Sequence, residues 1–533
     1  MVKVFSGEIT IKSLDSFVYN ILGINEKEEM SWKIYLKNLL IFNIVAIVFL
    51  FFLQEFQAFL PFNSQHFLGI KSDTALNTSI SFGSNTDWQS YTPESTMSYF
   101  TQMLGLTVEN FLSAAIGISV GITFIRGFIR KSTIQLGNFW VDMIRALVYI
   151  LLPLSILFSI VLISQGVIQN LKPYIPIETL EGKNMFIAQG PAASQVAIKH
   201  IGTNGGGFFN TNSAHPYENP NKLTDYLEIL MALLLPAAFP FVFGIMINNR
   251  KQGWIIYISM MVLFLLGLFG TLWFEFQGNP VLANLGVENG SNLEGKELRC
   301  GLFNSMLFAQ SNTATGCGAS SSMYDSLLPL SGLILMFNMM IGEVIFGGVG
   351  TGIIGLLAYA ILTMFLIGLM IGRTPEIFGK KLESYEVIMA ILLLWLPSII
   401  QLILGSIAIS SSAGLSSLGN PGPHGLSEII YAFASGSGNN GSAFGGLNSN
   451  TLFYNLMMSV AIFIGRFITI IPALAIAGSF AAKKQIPEEV QFPTANLLFL
   501  IMLIGVIIII GALTFFPILV MGPFIEHLLL QVV

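Results

Sequence analysis

The sequence predicts an all-α polytopic membrane protein: four pseudo-repeats, each of membrane helix, short re-entrant helix with polar loop, and membrane helix, followed by one C-terminal span. Three observations predict it. Of 533 residues, 53% are hydrophobic and only 10% charged, with mean hydropathy +0.73, whereas a soluble chain carries about 25% charge. Four stretches rich in glycine and asparagine recur: SFGSNTDWQSY from Ser81, GTNGGGFFNTNSAHP from Gly202, AQSNTATGCGAS from Ala309 and ASGSGNNGSAFGGLNSN from Ala434. Each follows a short segment too brief to span and lies between apolar runs. Finally, all but seven of the 24 lysines and arginines fall at the N-terminus, at junctions between repeats or at nearby helix ends; the seven are Lys71, Lys172, Lys183, Lys199, Lys222, Lys296 and Arg299. Basic residues concentrate on the cytoplasmic side, so the polar loops are expected to enter from outside, with the N-terminus cytoplasmic and the C-terminus external.

Residues 1–38, charged and amphipathic, read as a cytoplasmic segment with no cleavable signal peptide. Repeat one, 39–137, has a first span at 39–60 stopped by Pro61, a short element at 74–82, and a long helix at 96–128 ending at Arg126, Arg130 and Lys131. Repeat two, 138–250, has a helix at 138–168, a short candidate at 191–201 and a helix at 224–247. Repeat three, 251–384, has a helix at 254–274, a short candidate at 301–311 and an apolar stretch, 326–372, broken by GGVGTG from Gly347. Repeat four, 385–485, has helices at 386–410 and 451–478 around a short element at 426–435. The remainder, 486–533, holds an unpaired span at 495–516 and a tail, which makes nine spans.

A polar loop at membrane depth is tolerated where it lines a cavity. Glycine opens backbone conformations closed to other residues, so carbonyls of four such loops can converge and replace the hydration shell of a monovalent cation. The short helices ahead of them aim their negative ends at the same place. Asp87 is the one carboxylate inside a central loop motif, too little for a ring selective for a hard dication. Glycine and asparagine also make ordinary turns, but four in the same setting form a pattern. Glu109 in TVENF and Glu343 in MIGEVIFGG are carboxylates at membrane depth, where such groups face a cavity or a partner. The break at Gly347, Gly348, Gly350 and Gly352 marks a gate or constriction, and Arg373 and Arg466 either snorkel or serve function. His215 and His424 lack metal-ligand spacing and read as loop-stabilising hydrogen-bond groups. Cys300 and Cys317 read as free buried thiols. GTNGGGFF lacks the lysine and the strand-to-helix context of a phosphate loop. No nucleotide-binding or phosphorylation sequence is present, and nothing favours nucleic acid; any ATP-driven transport needs another chain.

NTDWQSY, GLTVENFLSAA, ASQVAIKHIGTNGGGFFNTNSAHPYENP, EGKELRCGLFN, GEVIFGGVGTG, GLMIGRTPEIFGKK, NPGPHG, NNGSAFGGLN and PALAIAGS, in this order along nearly the whole chain, resemble the potassium-binding A subunit of the Kdp-type potassium-importing ATPases of bacteria and archaea. The resemblance implies the fourfold architecture of the potassium transporter superfamily. It implies a plasma-membrane location, and K+ as transported ion with no nucleotide or organic cofactor on this chain. The implied partners are a P-type ATPase B subunit, a C subunit and a small single-span peptide. Carried over by motif, the filter comprises Ser84, Asn85, Thr86, Asp87 and Trp88; Thr203, Asn204, Gly205, Gly206 and Gly207; Asn312, Thr313, Ala314, Thr315, Gly316, Cys317 and Gly318; and Asn439, Asn440, Gly441, Ser442 and Ala443. Gly347–Gly352 fall in the intramembrane loop beneath it, with Glu109 and Glu343 at the cavity. Arg373 and Arg466 match basic positions associated with coupling. Relatives generally have ten spans, so this chain is expected to begin after an additional first helix, and Glu109 stands where some relatives carry glutamine. A stand-alone cation channel or ion-gradient-driven potassium transporter of the same superfamily shares such a filter; co-purification with an ATPase chain separates the two.

Overall fold

The computed structural model describes residues 1–287, 290–487 and 491–532; positions 488–490 and 533 of the expected C-terminal unit lie outside the described residues. Among the described residues nine helices are long and apolar enough to cross a membrane. Their burial separates them into two shells. Thr101–Ile129, Lys222–Met246, Thr351–Ile371 and Leu452–Ala482, the closing helices of the four repeats, have 83, 56, 78 and 67% of their apolar windows buried. The opening helices Trp32–Glu55, Phe139–Ser164, Arg250–Asn284 and Ser384–Ser410 have 33, 28, 44 and 39%. The closing helices therefore form the inner ring and the opening helices the outer one. Small residues permit that closeness: Gly117 and Gly121 of Thr101–Ile129 bring its backbone against Val349 and Gly350.

A re-entrant helix sits between the two spans of each repeat: Ser72–Gly83, Ala192–Ile201, Leu302–Ala314 and Gly422–Gly438. All four match the short elements expected from sequence, with ends moved by a few residues. Their C-termini run into the glycine-rich loops, where residues with positive φ turn the chain: Asn85 (66°), Thr203 (49°), Gly316 (69°) and Asn439 (62°).

Several boundaries differ from expectation. The first span begins at Trp32 rather than 39, because Lys33 and Lys37 are exposed on its surface and so do not interrupt it. The helix expected at 138–168 ends at Ser164 and has a π-helical turn at Leu147–Leu151. The stretch 326–372 is two helices, Pro329–Met340 and Thr351–Ile371. Between them Gly342, Glu343, Phe346, Gly347 and Gly350 all have positive φ, and that ends a right-handed helix. An antiparallel hairpin in the second excursion, Ile175–Glu178 with Asn184–Ile187, was not anticipated. After Leu497–Leu519 the chain continues through a π-helical turn into the helix Ile525–Val532, so the described part of the expected tail is helical.

Candidate functional site

The four glycine-rich loops meet one another in cyclic order. A Cβ added at Gly205 of the second loop would overlap the backbone nitrogen of Gly318 in the third and lie 2.8 Å from its carbonyl carbon. At Gly318 it would overlap the Asn440 carbonyl oxygen of the fourth, and at Gly441 the Thr86 carbonyl oxygen of the first. At Gly206 it would lie 3.1 Å from Cβ of Asp87, which closes the circle from the first loop to the second. At Gly205, Gly318 and Gly441 glycine is required because backbone presses on backbone, and Gly205 (φ 82°), Gly206 (68°) and Gly441 (94°) are also left-handed.

Side-chain amides tie three of the four neighbouring pairs together. Asn85 Nδ2 donates to Thr203 O at 2.9 Å, and Asn204 Nδ2 donates to Asn85 Oδ1 at 2.8 Å. Asn440 Nδ2 donates to Asn312 O at 3.0 Å, and Asn439 Nδ2 to Thr86 Oγ1 at 2.9 Å. A cavity of about 400 Å³ on one side of the ring is lined by all four loops, including Asp87, Gly206, Gly318, Gly441, Ser442 and Ala443. A smaller one of about 50 Å³ lies at the other side, lined by Asn85, Gly316, Glu343, Gly348, Gly352, Asn439 and Arg466.

Not every residue expected in the filter lines the ring. Asn312, Thr313 and Ala314 are still in the helix Leu302–Ala314, where Asn312 Nδ2 and Thr313 Oγ1 bond the carbonyls four residues back. The non-helical part of the third loop therefore starts at Thr315. Trp88 packs in an apolar cluster with Phe433 and Tyr454, and Cys317 in another with Ile229 and Phe308; both cysteines are free and buried. Ser84 Oγ donates to Ser81 O, and Gly207 N donates to Gln89 Oε1 at 2.9 Å. Thr203 Oγ1 and the Ala314 carbonyl oxygen accept from Val349 N and Gly347 N, both at 2.8 Å. The broken segment 341–350 is thereby fastened beneath the second and third loops, with Glu343 against Gly316. Arg466, buried in the inner helix Leu452–Ala482, donates to Ser113 O at 3.1 Å and shares the smaller cavity with Glu343. Glu109, expected at the cavity, is 3% exposed and within electrostatic reach of Asp87 but is not among the residues lining either cavity. Arg373 is exposed beyond the left-handed Gly372 and is not among the residues lining either cavity.

Residues that sequence reasoning missed surround the ring. Gln89 joins the first and second loops through Gly207. Lys199, read from sequence as an external charge, is fully buried in the second re-entrant helix and paired with Glu218. Lys296 is likewise buried against Glu275 at 2.7 Å. A lysine inside the short helical candidate AASQVAIKHI, with an acid downstream, is the available signal for the first pair. His215 stacks on Phe209 at 4.0 Å between centroids. His424 has Glu526 at 2.7 Å on Nδ1 and Asp325 at 2.9 Å on Nε2; Glu428 lies close by. Burial alone lowers the His424 pKa, but the hydrogen bonds to Asp325 and Glu526 outweigh it and push it up to about 10. The imidazolium so favoured donates on both sides and leaves no lone pair for a metal.

A shell of outer and inner helices around four converging re-entrant loops defines a membrane protein of the potassium transporter fold. The crystal structure of the potassium transporter TrkH from Vibrio parahaemolyticus superposes with a TM-score of 0.53 over 83% of this chain and 84% of that one, at 14% identity. Residues 1–528 match the family model of the potassium-transporting ATPase A subunit, and the chain belongs to that family. The potassium-transporting ATPase potassium-binding subunit of Polynucleobacter asymbioticus is 47% identical across 98% of this chain and 92% of its own length. The subunit of the same name from Paramagnetospirillum magneticum is 50% identical across 96% and 92%.

Proposed function

We propose that this chain is the potassium-binding and translocating subunit of an ATP-driven potassium importer, taking up external K+ through the four-loop ring and passing it toward a P-type ATPase partner. The observation that carries the reading is the closed circle of loop-on-loop backbone contacts, supported by family membership. The chain is the non-hydrolysing, potassium-binding component of that ATPase; ATP is consumed on the B subunit, and a C subunit and a small single-span peptide complete the assembly. The carbonyls of Thr86, Gly205, Gly316 and Gly441 and their neighbours hold the ion at the inner ends of the re-entrant helix dipoles. Glu343 attracts the cation in the smaller cavity and Arg466 opposes its passage straight through. The segment 341–350 is the constriction, and Arg373 acts in coupling to the partner. The complex sits in the plasma membrane with the N-terminus of this chain cytoplasmic and its C-terminus external. The test is the complex purified with its partners in Rb+ or Tl+, with anomalous scattering expected on the axis among the four loops. Density elsewhere, or vigorous uptake by this chain alone, overturns the reading.

A further inference from the structure

The second loop is held in a way the other three are not. Lys199 projects from the second re-entrant helix and uses all three ammonium hydrogens: on the carbonyl oxygen of Gly206 at 3.1 Å, on Asn212 Oδ1 at 2.6 Å, and on the carboxylate of Glu218. Both members of the ion pair are buried, at 1% and 0% side-chain exposure. The other oxygen of Glu218 accepts from Phe209 N at 2.8 Å, so the chain from Gly206 to Glu218 is wrapped around one ammonium. Arg299 fastens this wrap from outside through Ala214 O at 2.8 Å and Asn219 O at 2.9 Å.

The oxygen that Lys199 holds belongs to the peptide joining Gly206 to Gly207. The N–H of that same peptide donates to Gln89 Oε1 at 2.9 Å, so the plane is gripped at both edges. It follows two consecutive left-handed glycines, the backbone most able to rotate a peptide. In the fourth loop the comparable grip is neutral: Gly441 N donates to Ser435 Oγ at 2.9 Å. Charge-assisted hydrogen bonds are roughly twice as strong as neutral ones.

We propose that Lys199 is a positioning residue for ion selectivity: paired with Glu218, it locks the Gly206–Gly207 peptide and thereby sets the spacing of the neighbouring carbonyls that distinguish K+ from larger alkali cations. This rests on the four-loop ring being the potassium filter. The pair carries no net charge, so its action on the ion is through geometry.

The experiment measures cation-stimulated ATP hydrolysis by the complete complex with its own partner subunits, titrated with K+ and with Rb+. Lys199→Met is expected to raise the half-saturating K+ concentration about tenfold and to narrow the preference for K+ over Rb+ at least threefold. The double variant Lys199→Met/Glu218→Gln removes both buried charges. It is expected to recover assembly and thermal stability where the single variant is impaired, while the loss of preference persists because Gly206 remains untethered. Wild-type half-saturation and preference in an assembled Lys199→Met complex overturn the proposal, as does recovery of the preference in the double variant. If the wild-type complex itself shows no stimulation by K+, the potassium-filter reading fails instead.

Discussion

Gly205→Ala places a methyl group where the second loop touches the third. Two effects add. The residue has φ 82°, and an L side chain in that region costs roughly 1–2 kcal/mol. The new Cβ also overlaps the Gly318 backbone nitrogen and lies 2.8 Å from its carbonyl carbon, so one backbone must retreat; overpacking of this kind costs typically about 1–3 kcal/mol. The sum, about 2–5 kcal/mol, corresponds to a potassium affinity weakened roughly 30- to 5,000-fold when it falls on the ion-competent geometry. Gly318→Ala separates the two effects, because Gly318 lacks a positive φ but is as close to the fourth loop; its loss is expected to be smaller. Gly372→Ala is the converse control, with φ 68° and nothing within 4 Å of the added carbon: a modest loss of stability and no change in affinity. K+- and Rb+-stimulated ATP hydrolysis of the complete complex measures all three. Wild-type half-saturation and ion preference in Gly205→Ala, or equal effects from Gly205→Ala and Gly372→Ala, refute the reasoning.

Glu109→Gln removes a buried carboxylate near Asp87 and is expected to retain transport while weakening K+ affinity several-fold, on the order of 1 kcal/mol; unchanged affinity in the reconstituted complex removes the charge from the account. Lys296→Met strands the buried Glu275 near the end of the third repeat's opening helix and is expected to lower the thermal midpoint by the equivalent of about 3–5 kcal/mol, with the K+ to Rb+ preference unaltered. The clasp of His424 with Asp325 and Glu526 gives a pH dependence with a definite sign. A histidine whose folded pKa is raised to about 10 contributes stability that is complete below its ordinary value near 6.5 and is lost as pH rises through about 10. The thermal midpoint of the complex is therefore expected to decline across pH 6.5–10, and less steeply in His424→Gln; identical profiles count against the ion pair.

Local chemistry made the repeat plan legible. Apolar length, the Asn- and Gly-rich loops and the placement of Lys and Arg located all four re-entrant helices within a few residues. The interior of the site was less legible because its contacts join residues far apart in sequence. Thr86 meets Gly441, and Val349 meets Thr203, and no local periodicity announces either. Lys199 counted as an external charge until its carboxylate, 19 positions on, was found across the glycine-rich turn. Asn312 and Thr313 looked like loop residues because their types favour turns; back-bonding to Phe308 O and Ala309 O keeps them helical. Trp88 shared a motif with filter residues but faces the apolar cluster around Phe433.

The circle of loop contacts also bears on how the chain matures. The first loop finds its last wall only when Gly441, some 350 residues later, has been synthesised and inserted. Each quarter leans on the next, so a nascent chain holding three repeats has two open ends. Such long-range closure is slow relative to helix formation, so the membrane helices are in place first and the ring closes in one late step. With the ring as the potassium site proposed above, K+ would bind only the closed form and draw that last step forward by mass action.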